Sequence, residues 1–315
     1  MCYMPCNINA VVLLGPTAVG KTSLGVRIAD RFGWDIISAD SRQVYKGLDL
    51  GSGKDLEDYV INGRTVPHYL IDVATLNEEY NVFKYQTDFY ALFDSFLSNK
   101  KMPFIVGGTG MYIDSIVRNY YFIPVPENKE LRISLADKSL EELDSMLLNL
   151  KPDLHNKSDL TERERVIRAI EIQLFMNDAK PVERTNKVNA FIIGTTIPRE
   201  QLRRNITQRL KERLEKGMID EVKGLHDSGY SWERLEKLGL EYRYISLYLE
   251  GKLTSEKEMF DQLNHAIHQF AKRQETWFRG MERKGLKIHW LPSVADKEAR
   301  YNAAIELLES NGIKL

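Results

Sequence analysis

The chain has 315 residues, of which 43% are hydrophobic and 28% charged, and a formal net charge of −1. These proportions exclude a disordered or collagen-like chain and fit one large globular domain or two moderate ones. Its two cysteines, Cys2 and Cys6, both precede the first apolar run, so no disulfide framework holds the fold and a reducing cytoplasm is the expected setting.

Residues 10–14 (AVVLL) are apolar and end in Gly-Pro, which reads as a buried strand entering a loop. The run is too short for a signal-peptide core, and no stretch approaches the length of a membrane span. A helix is predicted from Lys21, with Leu24 and Ile28 one turn apart and Gly33 as its stop. Residues 35–39 form a second apolar run ending at Asp40, and residues 68–73 a third. A helix opening near Asn81 is predicted to bury Phe89, Leu92, Phe93 and Phe96. Residues 103–106 read as another strand, stopping at Gly107-Gly108. Strand alternating with helix predicts a parallel sheet flanked by helices.

The pattern turns helical at 127–180, with a capping-box signature at Thr161 and Glu164 opening a helix over 163–175. Strand character returns at 190–195, and long charged helices fill 199–226 and 254–280. The predicted organisation is a P-loop kinase-like α/β core at 1–124 and 188–315 with an inserted all-helical domain at 125–187. Two basic clusters stand out against the near-neutral whole. Residues 199–223 hold eight Lys/Arg against five Asp/Glu, and 272–287 hold six against two. Each is as compatible with a solvated helix face as with a nucleic-acid surface.

Gly15-Pro16-Thr17-Ala18-Val19-Gly20-Lys21-Thr22 fits the phosphate-loop pattern G-x-x-x-x-G-K-[ST] between a predicted strand and helix. Glycines let successive N–H groups turn inward, the helix N-terminus faces the same point, Lys21 adds a full charge, and the Thr22 hydroxyl can ligate Mg2+. The expected ligand contains a diphosphate. Asp40 and Asp72, each ending an apolar run, are the acidic candidates that a nucleotide-hydrolysing or kinase reading would need. On the loop alone, a small-molecule kinase remains open.

Residues 40–54, Asp-Ser-Arg-Gln-Val-Tyr-Lys-Gly-Leu-Asp-Leu-Gly-Ser-Gly-Lys, closely resemble the D-S-x-Q-x-Y-x-G-x-D-x-G-[ST]-x-K block of the tRNA dimethylallyltransferase family. The likeness continues at Pro67-His68-Tyr69-Leu70-Ile71-Asp72, at Val106-Gly107-Gly108-Thr109-Gly110, at Arg163-Glu164-Arg165-Val166-Ile167-Arg168, at Gln208-Arg209, and at Ala271-Lys272-Arg273-Gln274-Glu275-Thr276-Trp277-Phe278-Arg279. It spans nearly the whole chain in the family's order. Two places depart: Gly53 stands where the family has alanine, and the family's late G-Y-[KR]-[EQ] element is Gly239-Leu240-Glu241-Tyr242-Arg243. No role is carried over to those positions. Without the cysteines of the eukaryotic C-terminal zinc finger, a bacterial-type enzyme is implied.

The resemblance implies transfer of a dimethylallyl group from its diphosphate to the exocyclic amine of adenosine 37, beside the tRNA anticodon. It implies Asp40 as general base and Arg209 on the diphosphate with Lys21, Thr22 and Mg2+, charge control being strongest as the leaving group departs. Thr109 is placed near the reacting nucleotide, with Ser41 and Gln43 on its base. The set expected to meet RNA is Asp40, Ser41, Arg42, Gln43, Thr109, Arg132, Arg163, Glu164, Arg165, Val166, Arg168, Lys272 and Arg273. A soluble monomer acting on tRNA is expected. The alternatives are an isopentenyltransferase acting on free adenine nucleotides and the P-loop kinase.

Overall fold

Strand β1 (Ala10–Leu14) is fully buried, and its residues alternate between two cores. Ala10, Val12 and Leu14 join one, Val11 and Leu13 the other. A strand sealed on both faces has no polar positions, which is why the sequence shows an unbroken apolar run. The computed structural model describes residues 8–151, 162–178 and 186–314. Cys2, Cys6 and Thr161, and with Thr161 the expected capping box, lie outside the described residues.

After β1 come α1 (Lys21–Phe32), closed by Gly33 at φ 66°, and β2 (Ile36–Ala39). A two-stranded hairpin, β3 (Val60–Ile61) with β4 (Arg64–Thr65), and the short β5 (His68–Tyr69) follow. The predicted strand at 68–73 is cut to two residues because Leu70 and Asp72 take φ of 60° and 55°, which no ladder accommodates. Helix α2 (Val82–Ser98) starts at Asn81, whose side chain accepts from the Phe83 and Lys84 amides. It buries Tyr85, Phe89, Phe93 and Phe96, with Leu92 half-buried. Then come β6 (Phe104–Gly107) and α3 (Gly110–Val117).

Among the described residues α4 (Lys129–Ser134), α5 (Leu140–Leu150) and α6 (Arg163–Asp178) follow. The chain divides into two compact units, Met1–Tyr120 with Asn186–Leu315, and Tyr121–Thr185. The smaller has its own core of Leu135, Leu143, Leu147, Val166 and Ile170. The larger resumes with β7 (Ala190–Gly194) and α7 (Arg199–Glu215). Gly217 at φ 95° ends the first predicted charged helix early and starts α8 (Met218–Asp227). The remainder is α9 (Trp232–Glu236), α10 (Leu240–Leu249), α11 (Glu256–Arg283), β8 (Ile288–Trp290) and α12 (Lys297–Ser310).

The main sheet runs β5-β2-β6-β1-β7-β8, every pair parallel. Its register aligns Ala39, Gly107, Leu14 and Gly194 in one row across four strands. The residues that follow therefore emerge side by side at the carboxyl edge, where open parallel sheets hold ligands. The approach is so close that a Cβ on Gly107 would overlap the Ala39 carbonyl, and one on Gly15 would lie 2.6 Å from the Thr195 oxygen. Gly107→Ala should therefore destabilise the fold by about 1–3 kcal/mol, the cost of overpacking against rigid backbone. Urea unfolding checks this: an unchanged midpoint would show that the strands can part.

Candidate functional site: a phosphate loop beside a strand-end aspartate

The Gly15–Thr22 loop joins β1 to α1. Ala18 at φ 59° and Gly20 at φ 82° turn it. Gly20 caps α1 without a side-chain hydrogen bond, and no acidic residue sits in the first turn. The positive helix end thus keeps its capacity for an external anion. Lys21 Nζ donates to the Pro16 carbonyl at 3.1 Å. Three helices distant in sequence hold the loop. From α11, Gln274 Oε1 accepts from the Thr17 amide at 2.8 Å while its Nε2 donates to the Gly108 carbonyl at 2.8 Å. From α7, Asn205 donates to the Ala18 carbonyl at 3.3 Å and Arg209 to the Thr17 hydroxyl at 3.4 Å. From α12, Arg300 donates to the Val19 carbonyl at 2.7 Å.

Asp40 follows β2 and faces the same edge. Its Oδ1 accepts from the Arg42 amide at 2.9 Å. Thr109 Oγ1 accepts from the Ser41 amide at 2.9 Å, and the Thr109 amide donates to the Ala39 carbonyl at 3.1 Å, so the ends of β2 and β6 are tied together. Gln43 donates to the Gly53 carbonyl at 3.1 Å. Asp72, the other acidic candidate, is an ion partner of buried Lys54, which also binds Asp49 and the Tyr45 carbonyl. That engagement gives it a structural role.

Removal from water pushes the Lys21 ammonium down from 10.5 to about 8; Asp40 pulls it back up and Arg209 adds to the depression. Burial likewise lowers the Arg209 guanidinium to about 10, with neighbouring Arg213 contributing. Burial raises the Glu241 carboxyl, opposed by Arg213, Arg209 and Arg42. Thr17, Ala18, Arg209, Arg213 and Glu241 line one small cavity. The Thr22 hydroxyl, half-buried in the first turn of α1, makes no hydrogen bond to a described residue and so fits a magnesium ligand.

The sequence-named residues Gly15, Pro16, Thr17, Ala18, Val19, Gly20, Lys21, Thr22, Asp40, Ser41, Arg42, Gln43, Thr109 and Arg209 thus belong to one edge of the larger unit. The two basic clusters meet in the same unit. Arg199 and Arg203 from α7 face His265, His268, Lys272 and Arg279 from α11 across a groove of about 480 Å³. Arg273 is exposed on α11, its guanidinium 5.9 Å from the Phe270 ring centre. In the smaller unit, Glu164 and Arg165 are exposed, and Arg165 pairs with Glu162 at 3.0 Å. Arg132 and Arg168 share buried Glu171. Arg163 donates to the Leu135, Ala136 and Lys138 carbonyls that follow α4. Val166 is fully buried, so its side chain has no surface to offer RNA.

Sequence reasoning missed Gln274, Asn205, Arg213 and Arg300. Gln274 lay inside a quoted block, which was the available signal; the others are ordinary polar residues on charged helices.

The parallel sheet and the glycine-rich loop between β1 and α1 define a P-loop fold. A model of IPP transferases matches residues 43–281, and the chain belongs to that family. It is 52% identical over 288 residues to a tRNA dimethylallyltransferase 2 of Treponema denticola, spanning 90% of this chain and 95% of that one. It is 50% identical over 303 residues to a tRNA dimethylallyltransferase 2 of Phocaeicola vulgatus, spanning 96% and 98%. The crystal structure of the full-length tRNA isopentenylpyrophosphate transferase from Bacillus halodurans superposes with a TM-score of 0.70 at 29% identity, over 97% of both chains.

The depressed Lys21 value has a direct test. Between about 8 and 10.5 the folded chain binds fewer protons at this site than the unfolded chain. The stability from this group is therefore gained as pH rises through that window and lost as pH falls through 8. In NMR of Cε-labelled lysine, one resonance should titrate near 8 and vanish in Lys21→Met. Titration of every lysine at 10 or above would contradict the burial.

Proposed function

We propose that this chain transfers a dimethylallyl group from dimethylallyl diphosphate to the exocyclic amine of adenosine 37 in tRNA, giving isopentenyladenosine and diphosphate. The observation that carries this reading is the convergence of a phosphate loop and a free-edged aspartate at one sheet edge, in a chain of the IPP transferase family whose relatives bear that activity in their names.

The chemistry suits the residues. The amine nitrogen attacks the allylic carbon, the carbon–oxygen bond breaks, and its electron pair leaves on the diphosphate. Lys21, Arg209 and the loop N–H groups hold charge that is greatest in the transition state. Thr22 would hold a magnesium ion, which would supply positive charge to offset that of the leaving group. An amine conjugated to a purine is a weak nucleophile, so a carboxylate taking its proton as the bond forms accelerates attack. The Arg42 amide fixes Asp40 through Oδ1, leaving Oδ2 for that proton.

The adenosine must leave its stack to reach this edge, at a cost of a few kcal/mol. Ser41, Gln43 and Thr109 are assigned to the extruded nucleotide. RNA phosphates are assigned to Lys272, Arg273 and the α7–α11 groove, and to Arg165 with its neighbours on the helical unit. Among the described residues no helix is long and apolar enough to cross a membrane; action as a monomer on cytoplasmic tRNA completes the reading.

The test is mass analysis after incubation with dimethylallyl diphosphate and magnesium. An anticodon stem-loop carrying adenosine 37 should gain one dimethylallyl group, and the same stem-loop with inosine there should gain none. Efficient prenylation of AMP with none of the stem-loop would instead assign the chain to free nucleotides.

A further inference from the structure

Arg300 lies in the first turn of α12, beyond the segment that the family model matches. It is 4% exposed. Its Nη1 donates to the Val19 carbonyl at 2.7 Å and reaches the Thr195 hydroxyl at 3.4 Å, while its Nε has no partner. It makes no ion pair with any described residue. Burying a guanidinium without a counter-charge is costly, by several kcal/mol in a dry interior. Asp296, at the start of the same helix, is the acidic group whose field partly offsets it, and burial lowers the arginine below its ordinary range.

Two features show what the arrangement does to the loop. In a trans peptide the C=O and N–H point in opposite directions. Drawing the Val19 carbonyl toward Arg300 therefore turns the Gly20 N–H to the opposite side. That N–H donates to no described residue, and Gly20 adopts the left-handed conformation that permits the turn. Secondly, the helix that carries Arg300 is packed in place: Ala304, Ile305 and Leu308 of α12 share one buried core with Leu24, Ile28 and Phe32 of α1, and exposed ion pairs of Arg27 with Glu298 and Arg31 with Glu309 lie along the same seam. A residue serving packing alone needs no charge here; a methionine fills similar volume without the desolvation cost.

We infer that Arg300 is a positioning residue for the diphosphate: it aims the Gly20 N–H into the loop and sets a buried positive charge behind it, which the bound anion balances. It touches no substrate, and its effect passes through the Val19–Gly20 peptide. The proposal rests on the reading that this loop binds a diphosphate.

Calorimetric titration of the full chain with inorganic pyrophosphate and magnesium tests it, together with the rise in melting temperature that pyrophosphate produces. Arg300→Met should weaken pyrophosphate about tenfold, because the buried charge behind the loop is lost and the Gly20 N–H is no longer aimed, and shrink the ligand-induced rise. Arg300→Lys should recover part of the affinity, because it restores charge but cannot reach both acceptors. A merely structural arginine would lower the melting temperature without ligand and leave the pyrophosphate affinity unchanged; that result in a folded Arg300→Met variant overturns the proposal. If Arg300→Met does not fold, Arg300→Lys decides alone: a three- to fivefold loss is expected, and wild-type affinity overturns it. Wild-type protein that fails to bind pyrophosphate would contradict the phosphate-loop reading itself.

Discussion

The site depends on the register of four parallel strands. Ala39, Gly107, Leu14 and Gly194 stand in one row, so each strand stops at the same height and each following loop starts at the same edge. A shift of one residue in any pair would exchange the two faces of a strand and carry Asp40 away from the phosphate loop. The row is narrow because glycines occupy two of its positions and a third, Gly15, follows it. Backbone can approach backbone where side chains would prevent it.

Charge is the second constraint. Lys21, Arg209, Arg213 and Arg300 gather around one short loop, and burial lowers Lys21, Arg209 and Arg300. Asp40, Glu241 and Asp55 offset that concentration, with Asp55 paired to Arg213 at 2.9 Å. The two departures from the family pattern meet here. Gly53, at φ 72°, leaves room where a Cβ would stand 2.5 Å from Arg213 Nη2 and 3.1 Å from Arg209 Nη2. Glu241 enters the same cavity as both arginines. Beside it, Tyr242 donates to Glu221, which accepts from the Leu50 and Gly51 amides and so locks the segment between Asp40 and Lys54. Both departures thus fit the accommodation of Arg213 beside Arg209.

Much of this architecture was readable in the residues because it is local. The β1–loop–α1 unit follows from an apolar run, a glycine-rich loop and Gly33. The Asn81 start of α2 follows from side-chain capping. What stayed hidden depends on partners remote in sequence. Gln274 is recognisable as a loop brace only when α11 reaches Thr17, and Arg300 only when α12 packs on α1. The segment at 68–73 misled because its apolar character serves burial in two different cores, Leu70 in one and Ile71 in the other, while the backbone between turns through left-handed positions. For Arg163, which the resemblance placed against RNA, the sequence does not show that carbonyls beyond α4 accept from its guanidinium.

The central claim is that the aligned strand ends place a proton acceptor beside a diphosphate site, so that the two act on one reaction. Asp40→Asn tests it most directly, since it keeps the side chain's size and its acceptor for the Arg42 amide while removing basicity. Measured at saturating donor and stem-loop, turnover should fall by roughly 10²–10⁴, the range for loss of a general base, with pyrophosphate affinity within about twofold of wild type. An Asn variant that turns over at the wild-type rate would contradict the account.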